Sequence, residues 1–164
     1  MRIVDLFVTT SLRGSAKGTG RVMYILRTTL KSGKVHESIP EVAEYDDVSE
    51  RKLILLAARD ALTHMNFACM IVLHTECDYI TSVLCRGWLA QWQQNGWKNI
   101  RGKEVKDACL WSMLLQDLEE DGHVLTAVTE KHEFVGWMRW KMQVAQPYTN
   151  MFTKLDEKPD WQQG

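Results

Sequence analysis

The chain has 164 residues, 45% hydrophobic and 25% charged, and 20 basic against 21 acidic side chains leave a net charge of −1. That length suits one domain with a full core, and the charge balance excludes a uniformly basic nucleic-acid binder while leaving room for a local basic patch. No run reaches the roughly 20 apolar residues of a membrane span.

Residues 2–10 alternate, with Ile3, Asp5, Phe7 and Thr9 on one face and Val4, Leu6 and Val8 on the other. This predicts a strand. A loop with Gly14, Gly18 and Gly20 leads to a second alternating run over 21–30. Ser32-Gly33 marks a tight turn, and 34–39 reads as a third strand. Short links make these three an antiparallel meander. The acidic stretch 40–49 reads as irregular, with Asp47 or Ser49 capping the following helix. In that helix Ile54, Ala58, Ala61, Leu62 and Met65 recur at helical spacing. Leu53, Leu55 and Leu56 widen the apolar face, so the helix is expected to be largely buried. The apolar run 69–74 suits a central strand, and strand-helix-strand implies a crossover with parallel pairing.

Residues 78–84 read as a short helix that Gly87 interrupts. A tryptophan-rich stretch follows: Trp88, Trp92, Trp97 and Trp111 are four of the seven tryptophans of the chain. Trp88 and Trp92 share a helix face. Asn95-Gly96 stops that helix. Lys98, Arg101, Lys103 and Lys106 make the next loop basic, and 106–118 reads as a helix entering the core through Trp111, Leu115 and Leu118. Exposed tryptophans beside a basic hinge suit a phosphate backbone; a tryptophan-rich core contact between two helices accounts for the same residues. Asp121-Gly122 reads as a turn, 123–129 as a strand, and 134–144 as a helix bearing Trp137 and Trp140, a pair suited to docking. From Pro147 the chain is polar. The expected organisation is a domain over 1–146 and a polar tail over 147–164. Cys69, Cys77, Cys85 and Cys109 lack CxxC or zinc spacing and read as buried, reduced thiols of a cytoplasmic protein. The N-terminus has no signal-peptide pattern.

The order and several strings resemble the type 1 ribonuclease H family. The strongest match is Trp88, Trp92, Gly96-Trp97-Lys98, Val105-Lys106 and Leu110-Trp111. It is joined by Thr75-Glu76-Cys77-Asp78-Tyr79-Ile80 at a strand end and by His132 in a later loop. The resemblance implies an α/β fold with a five-stranded mixed sheet flanked by helices. It also implies a basic protrusion that grips the DNA strand of an RNA/DNA hybrid, and four carboxylates holding two Mg²⁺ ions for phosphodiester hydrolysis.

The carboxylate pattern departs from the family. Its first acid falls at Thr9. The second falls at Lys52 or Arg51, with Glu50 offset onto another helix face. The third is retained as Glu76, with Asp78 close behind. The fourth is sought in 140–144, around Met142, where there is no acid. The expectation is a domain without family catalysis, with no bound cofactor or metal, that binds an RNA/DNA hybrid or duplex. Trp88, Trp92, Trp97, Lys98, Arg101, Lys103 and Lys106 are its candidate contacts. Glu76, Asp78 and His132 are residual catalytic candidates, the first two equally read as helix-capping acids and His132 as polar surface. Two alternatives stay open. One is an active Mg²⁺-dependent hybrid nuclease built on Asp5, Glu50, Glu76 and Asp78. The other is a protein-interaction module on the same fold. Oligomeric state is not readable from the sequence.

Overall fold

The computed structural model describes residues 1–146; the tail expected over 147–164 lies outside them. Strand β1 (Arg2–Thr10) lies mid-sheet between β2 (Gly18–Thr29) and β5 (Cys69–Thr75). β1 and β2 pair antiparallel, Val8 opposite Tyr24, and β3 (Val35–Glu37) extends the meander. β5 runs parallel to β1, Phe7 opposite His74, and β6 (Val124–Thr129) runs parallel to β5. The strand order is β3-β2-β1-β5-β6.

The five expected strands form, and a sixth joins them. β4 (Ala43–Val48) pairs antiparallel with β2 inside the stretch read as irregular. The acids that suggested irregularity are taken up across the strand pair. Arg21 Nε lies 3.0 Å from Glu44 Oε1, and Thr19 Oγ1 donates to Asp46 Oδ1 at 2.9 Å. Opposite polar partners stabilise a strand pair, but they come from residues about twenty-five positions upstream.

Helix α1 (Glu50–Leu62) crosses from β4 to β5. Ser49, not Asp47, caps it: its hydroxyl accepts the amide N–H of Lys52 at 3.2 Å. Helices α2 (Asp78–Cys85), α3 (Trp88–Gln94) and α4 (Ala108–Asp121) connect β5 to β6, and α5 (Val135–Val144) closes the described chain. The main core holds Val4, Leu6 and Val8 of β1 with the apolar face of α1 and with Trp111, Leu114 and Leu118 of α4. A smaller cluster packs Phe7, Met23 and Ile25 against Met138 and Met142 of α5. Helices thus cover both sheet faces. No helix among the described residues is long and apolar enough to cross a membrane.

All four cysteines are free. Cys69 and Cys77 are buried as expected, whereas Cys85 and Cys109 are exposed; Cys85, at the end of α2, still reaches the Ala127 carbonyl of β6 at 3.4 Å. Burial pushes the Cys69 and Cys77 thiols above their ordinary range, which keeps them protonated.

Candidate active-site cleft and basic protrusion

β1 and β5 are parallel neighbours, so their C-terminal ends open side by side, the usual place for a ligand crevice in an α/β sheet. Thr9 and Thr10 end β1, Thr75 ends β5, and Glu76 follows it. Together with Glu50, Arg13 and Arg139 they line a small open cleft.

Glu50 belongs to this cleft, which corrects the expected register. As the first residue of α1 it is buried, and its Oε1 accepts the amide N–H of Gly14 at 3.0 Å. Ile54, one turn on, lines the same cleft. Arg51 turns away, its guanidinium 3.7 Å over the ring of Tyr79. The expected register followed the spacing of the apolar run; the N-cap at Ser49 sets where the first turn begins.

A second correction concerns the last helix. Its residue on the cleft is Arg139, upstream of the stretch 140–144 where an acid was sought. Met142 packs under the sheet instead. Arg139 Nη2 lies 2.5 Å from Glu76 Oε1, and Arg13 Nη2 lies 3.2 Å from Glu76 Oε2. Glu76 is therefore held between two guanidiniums, one on each oxygen. Two carboxylates, Glu50 and Glu76, face two cations, Arg13 and Arg139, so the charges in the cleft balance.

Asp78 and Asp5 are not on the cleft. Asp78, in the first turn of α2, accepts the Thr129 hydroxyl at 3.3 Å. Neither Glu76 nor Asp78 is the N-cap, which is Cys77. Asp5 Oδ1 lies 2.8 Å from His74 Nε2, and His74 Nδ1 lies 2.5 Å from Glu130 Oε1. That imidazole stacks on Phe7 at 4.5 Å. His132 is a buried group, not a surface one. Its Nδ1 accepts the amide N–H of Phe134 at 3.2 Å. This leaves the proton on Nε2, which lies 2.9 Å from Thr9 Oγ1 and 3.1 Å from the Val8 carbonyl. Burial holds its pKa below the ordinary histidine value.

Two Mg²⁺ ions require several hard oxygen ligands converging in near-octahedral geometry. The residues present do not fit that demand. Thr9 carries no charge, Arg139 brings a cation, and both oxygens of Glu76 are taken by guanidiniums. Among the described residues no three acidic, histidine or cysteine side chains are grouped to hold a metal.

Next to Tyr79, whose ring meets Trp88 of α3 at 6.3 Å, α3 ends in a Schellman motif: Gly96, at φ 66°, lets the Trp97 amide reach the Trp92 carbonyl at 2.7 Å. The chain then forms a small hairpin. Lys98 and Glu104 pair through their backbones as an antiparallel β-bridge, and Asn99 Oδ1 accepts the amides of Arg101 and Lys103 at 2.9 and 3.0 Å. Ile100 at its tip is fully exposed. Lys98, Arg101, Lys103 and Lys106 are all exposed. None of them is in an ion pair among the described residues. Of the two accounts that the sequence allows, the tryptophans of this stretch follow the core contact and not the exposed surface. Trp88, Trp92 and Trp97 are half-buried against the main core, and Trp92 meets the buried Trp111 edge-on at 6.1 Å. Among the described residues the exposed tryptophans are Trp137 and Trp140 on α5. From sequence the two sets look alike, since spacings of four (Trp88, Trp92) and three (Trp137, Trp140) both put a pair on one helix face. Arg13 was missed altogether, because a loop arginine carries no periodic signal.

The family model for RNase H matches residues 4–146. A ribonuclease H of Chlorobium phaeobacteroides is 31% identical over 68 residues, which is 42% of this chain and 47% of that protein. The chain spans about half the length of several curated relatives it matches. Among solved structures, LC9-RNase H1, described as a type 1 RNase H with the type 2 active-site motif, is similar with a TM-score of 0.65 and 16% identity. That match covers 97% of this chain and 75% of the other. A foamy viral protease-reverse transcriptase in complex with an RNA/DNA hybrid is similar with a TM-score of 0.55 and 13% identity, over 88% of this chain and 19% of that one. With the family model matched over nearly all of the described residues and the sheet order in agreement with a mixed α/β fold, the chain belongs to the RNase H family.

Proposed function

We propose that this chain is a catalytically degenerate ribonuclease H-like domain that binds nucleic acid, an RNA/DNA hybrid or duplex, through the basic hairpin after α3. The observation that carries this reading is the set of four exposed cations, Lys98, Arg101, Lys103 and Lys106, on a hydrogen-bonded hairpin with no carboxylate partner among the described residues. Unpaired cations on a rigid support can neutralise phosphates without first breaking ion pairs. The half-buried Trp88, Trp92 and Trp97 serve as the base of the hairpin in this reading, and direct nucleic-acid contact passes to the cations. Further support comes from the structural relative that carries an RNA/DNA hybrid. Loss of catalysis is supported by Thr9 and Arg139 at the cleft and by the double pairing of Glu76.

The test is hybrid binding measured across a salt series. The log of affinity is expected to fall steeply with the log of salt, by about 0.9 per phosphate contact. Changing Lys98, Arg101, Lys103 and Lys106 together to Ala should abolish binding; undiminished affinity would discard the reading. A second reading, an active nuclease, is favoured by the presence of Glu50 beside Glu76 and by relatives that are named ribonucleases H. It requires cleavage of the hybrid in Mg²⁺ or Mn²⁺ that Glu76→Gln removes. The first reading expects no cleavage from the wild-type chain.

A further inference from the structure

We propose that the cleft between β1, β5 and α5 is a metal-independent phosphate site, in which Arg13 and Arg139 supply the positive charge that divalent ions would supply in a four-carboxylate arrangement. The proposal deepens the nucleic-acid reading, in which the phosphate is a backbone phosphodiester.

The arrangement of Glu76 carries it. The two guanidiniums approach one carboxylate from its two oxygens, so they flank it and converge on the same mouth. Each engages Glu76 through Nη2, and a guanidinium has five N–H donors in a planar fork, so donors remain for an anion on both sides. Arg13 is more than half exposed and reaches the mouth from a loop, while Arg139 stands on a helix. The rest of the cleft is committed to structure. Glu50 is held by the Gly14 amide, Thr10 donates to the Leu12 carbonyl at 2.7 Å, and Thr9 is engaged by His132. Glu76 is thus a positioning residue that keeps two forks aimed at one place, and the ligand those forks match is a tetrahedral oxyanion. The balanced charge of the cleft predicts weak capture of free phosphate and useful capture of a phosphate already delivered by a bound strand.

Two measurements test this on the whole chain. In the first, hybrid affinity is measured with EDTA and with Mg²⁺, for the wild type and for Arg13→Gln combined with Arg139→Gln. The wild type is expected to bind equally well in both conditions. The double variant is expected to bind several-fold more weakly with a salt slope smaller by about 1. Binding that needs Mg²⁺, or a variant with unchanged affinity and slope, overturns the proposal. Arg13→Gln alone, at an exposed position, covers the case in which the double variant does not fold; it should weaken binding in the same direction. In the second measurement, inorganic phosphate is titrated in EDTA and the guanidinium NMR signals of Arg13 and Arg139 are followed. Saturable shifts that Arg13→Gln weakens support the site. Absent shifts, or shifts of the Glu50 and Glu76 carboxylates by Mg²⁺ alone, overturn it. This titration does not depend on the basic hairpin. A chain that shifts with phosphate and ignores hybrids keeps the site and loses the proposed function; binding that vanishes only on changing the hairpin does the reverse.

Discussion

His132 and His123 are both buried with pKa values held below the ordinary 6.5, chiefly by desolvation. Each ring accepts an amide N–H at Nδ1, from Phe134 and Cys69 respectively, so the folded chain holds them neutral. As pH falls, the unfolded chain takes up these protons first. Stability is therefore complete above about pH 6.5 and declines below it until the depressed folded-state values are passed. Urea unfolding at a series of pH values should show stability falling as the pH drops through the ordinary histidine range, about 6.5. His132→Gln should flatten part of the slope, because glutamine does not titrate. A slope unchanged in that variant would mean that other groups carry the effect.

At the level of elements, the cleft depends on how the loop between β1 and β2 is seated. Leu12 anchors it, with the Ser11 amide on the Arg21 carbonyl at 2.9 Å and Thr10 on the Leu12 carbonyl. The anchor needs Gly20 on β2. A Cβ there would stand 2.5 Å from Leu12 Cδ1 and 2.8 Å from Leu53 Cδ1, nearer than such atoms approach. Gly20→Ala is expected to cost about 1–3 kcal/mol through overpacking. Part of the strain should fall on the loop, releasing Gly14 from Glu50 and Arg13 from Glu76. Denaturant unfolding gives the first effect, and the NMR signal of the Arg13 side chain gives the second. An unperturbed Arg13 would show that Leu12 moves without its loop.

Over the whole molecule, the cleft and the basic hairpin are separate structures on one sheet. The hairpin stands on α3 and α4, which pack through Trp92 and Trp111, while the cleft is drawn from β1, β5, α1 and α5. Replacing the cleft chemistry should leave the hairpin intact. If Thr9 and Arg139 are the replaced positions, Thr9→Asp with Arg139→Asp should bring new carboxylates beside Glu50 and Glu76. It should also free one Glu76 oxygen from its cation and create measurable Mg²⁺ affinity by calorimetry. The same variant should lose stability without metal, since buried like charges repel. No gain in Mg²⁺ affinity would show that the two retained acids are wrongly placed for a metal.

By itself the sequence determined the order of the elements other than β4, a crossover into a parallel-paired β5, the cap at Ser49 as one of two choices, and the stop at Asn95-Gly96. These follow from local periodicity, caps and turn chemistry, which act over a few neighbouring residues. Tertiary structure alone decided the rest. β4 forms because Arg21 and Thr19 on another strand meet its acids. Glu50, not Lys52, reaches the cleft because the cap sets the start of α1, and a one-residue shift turns a helix by about 100°. Arg13 and Arg139 lie far apart in the chain and meet only on Glu76. The half-buried Trp88, Trp92 and Trp97 differ from the exposed Trp137 and Trp140 only in what packs over them. Spacing along a chain states which residues share a face; which faces are then covered, and which charges meet, depends on contacts between segments that spacing does not encode.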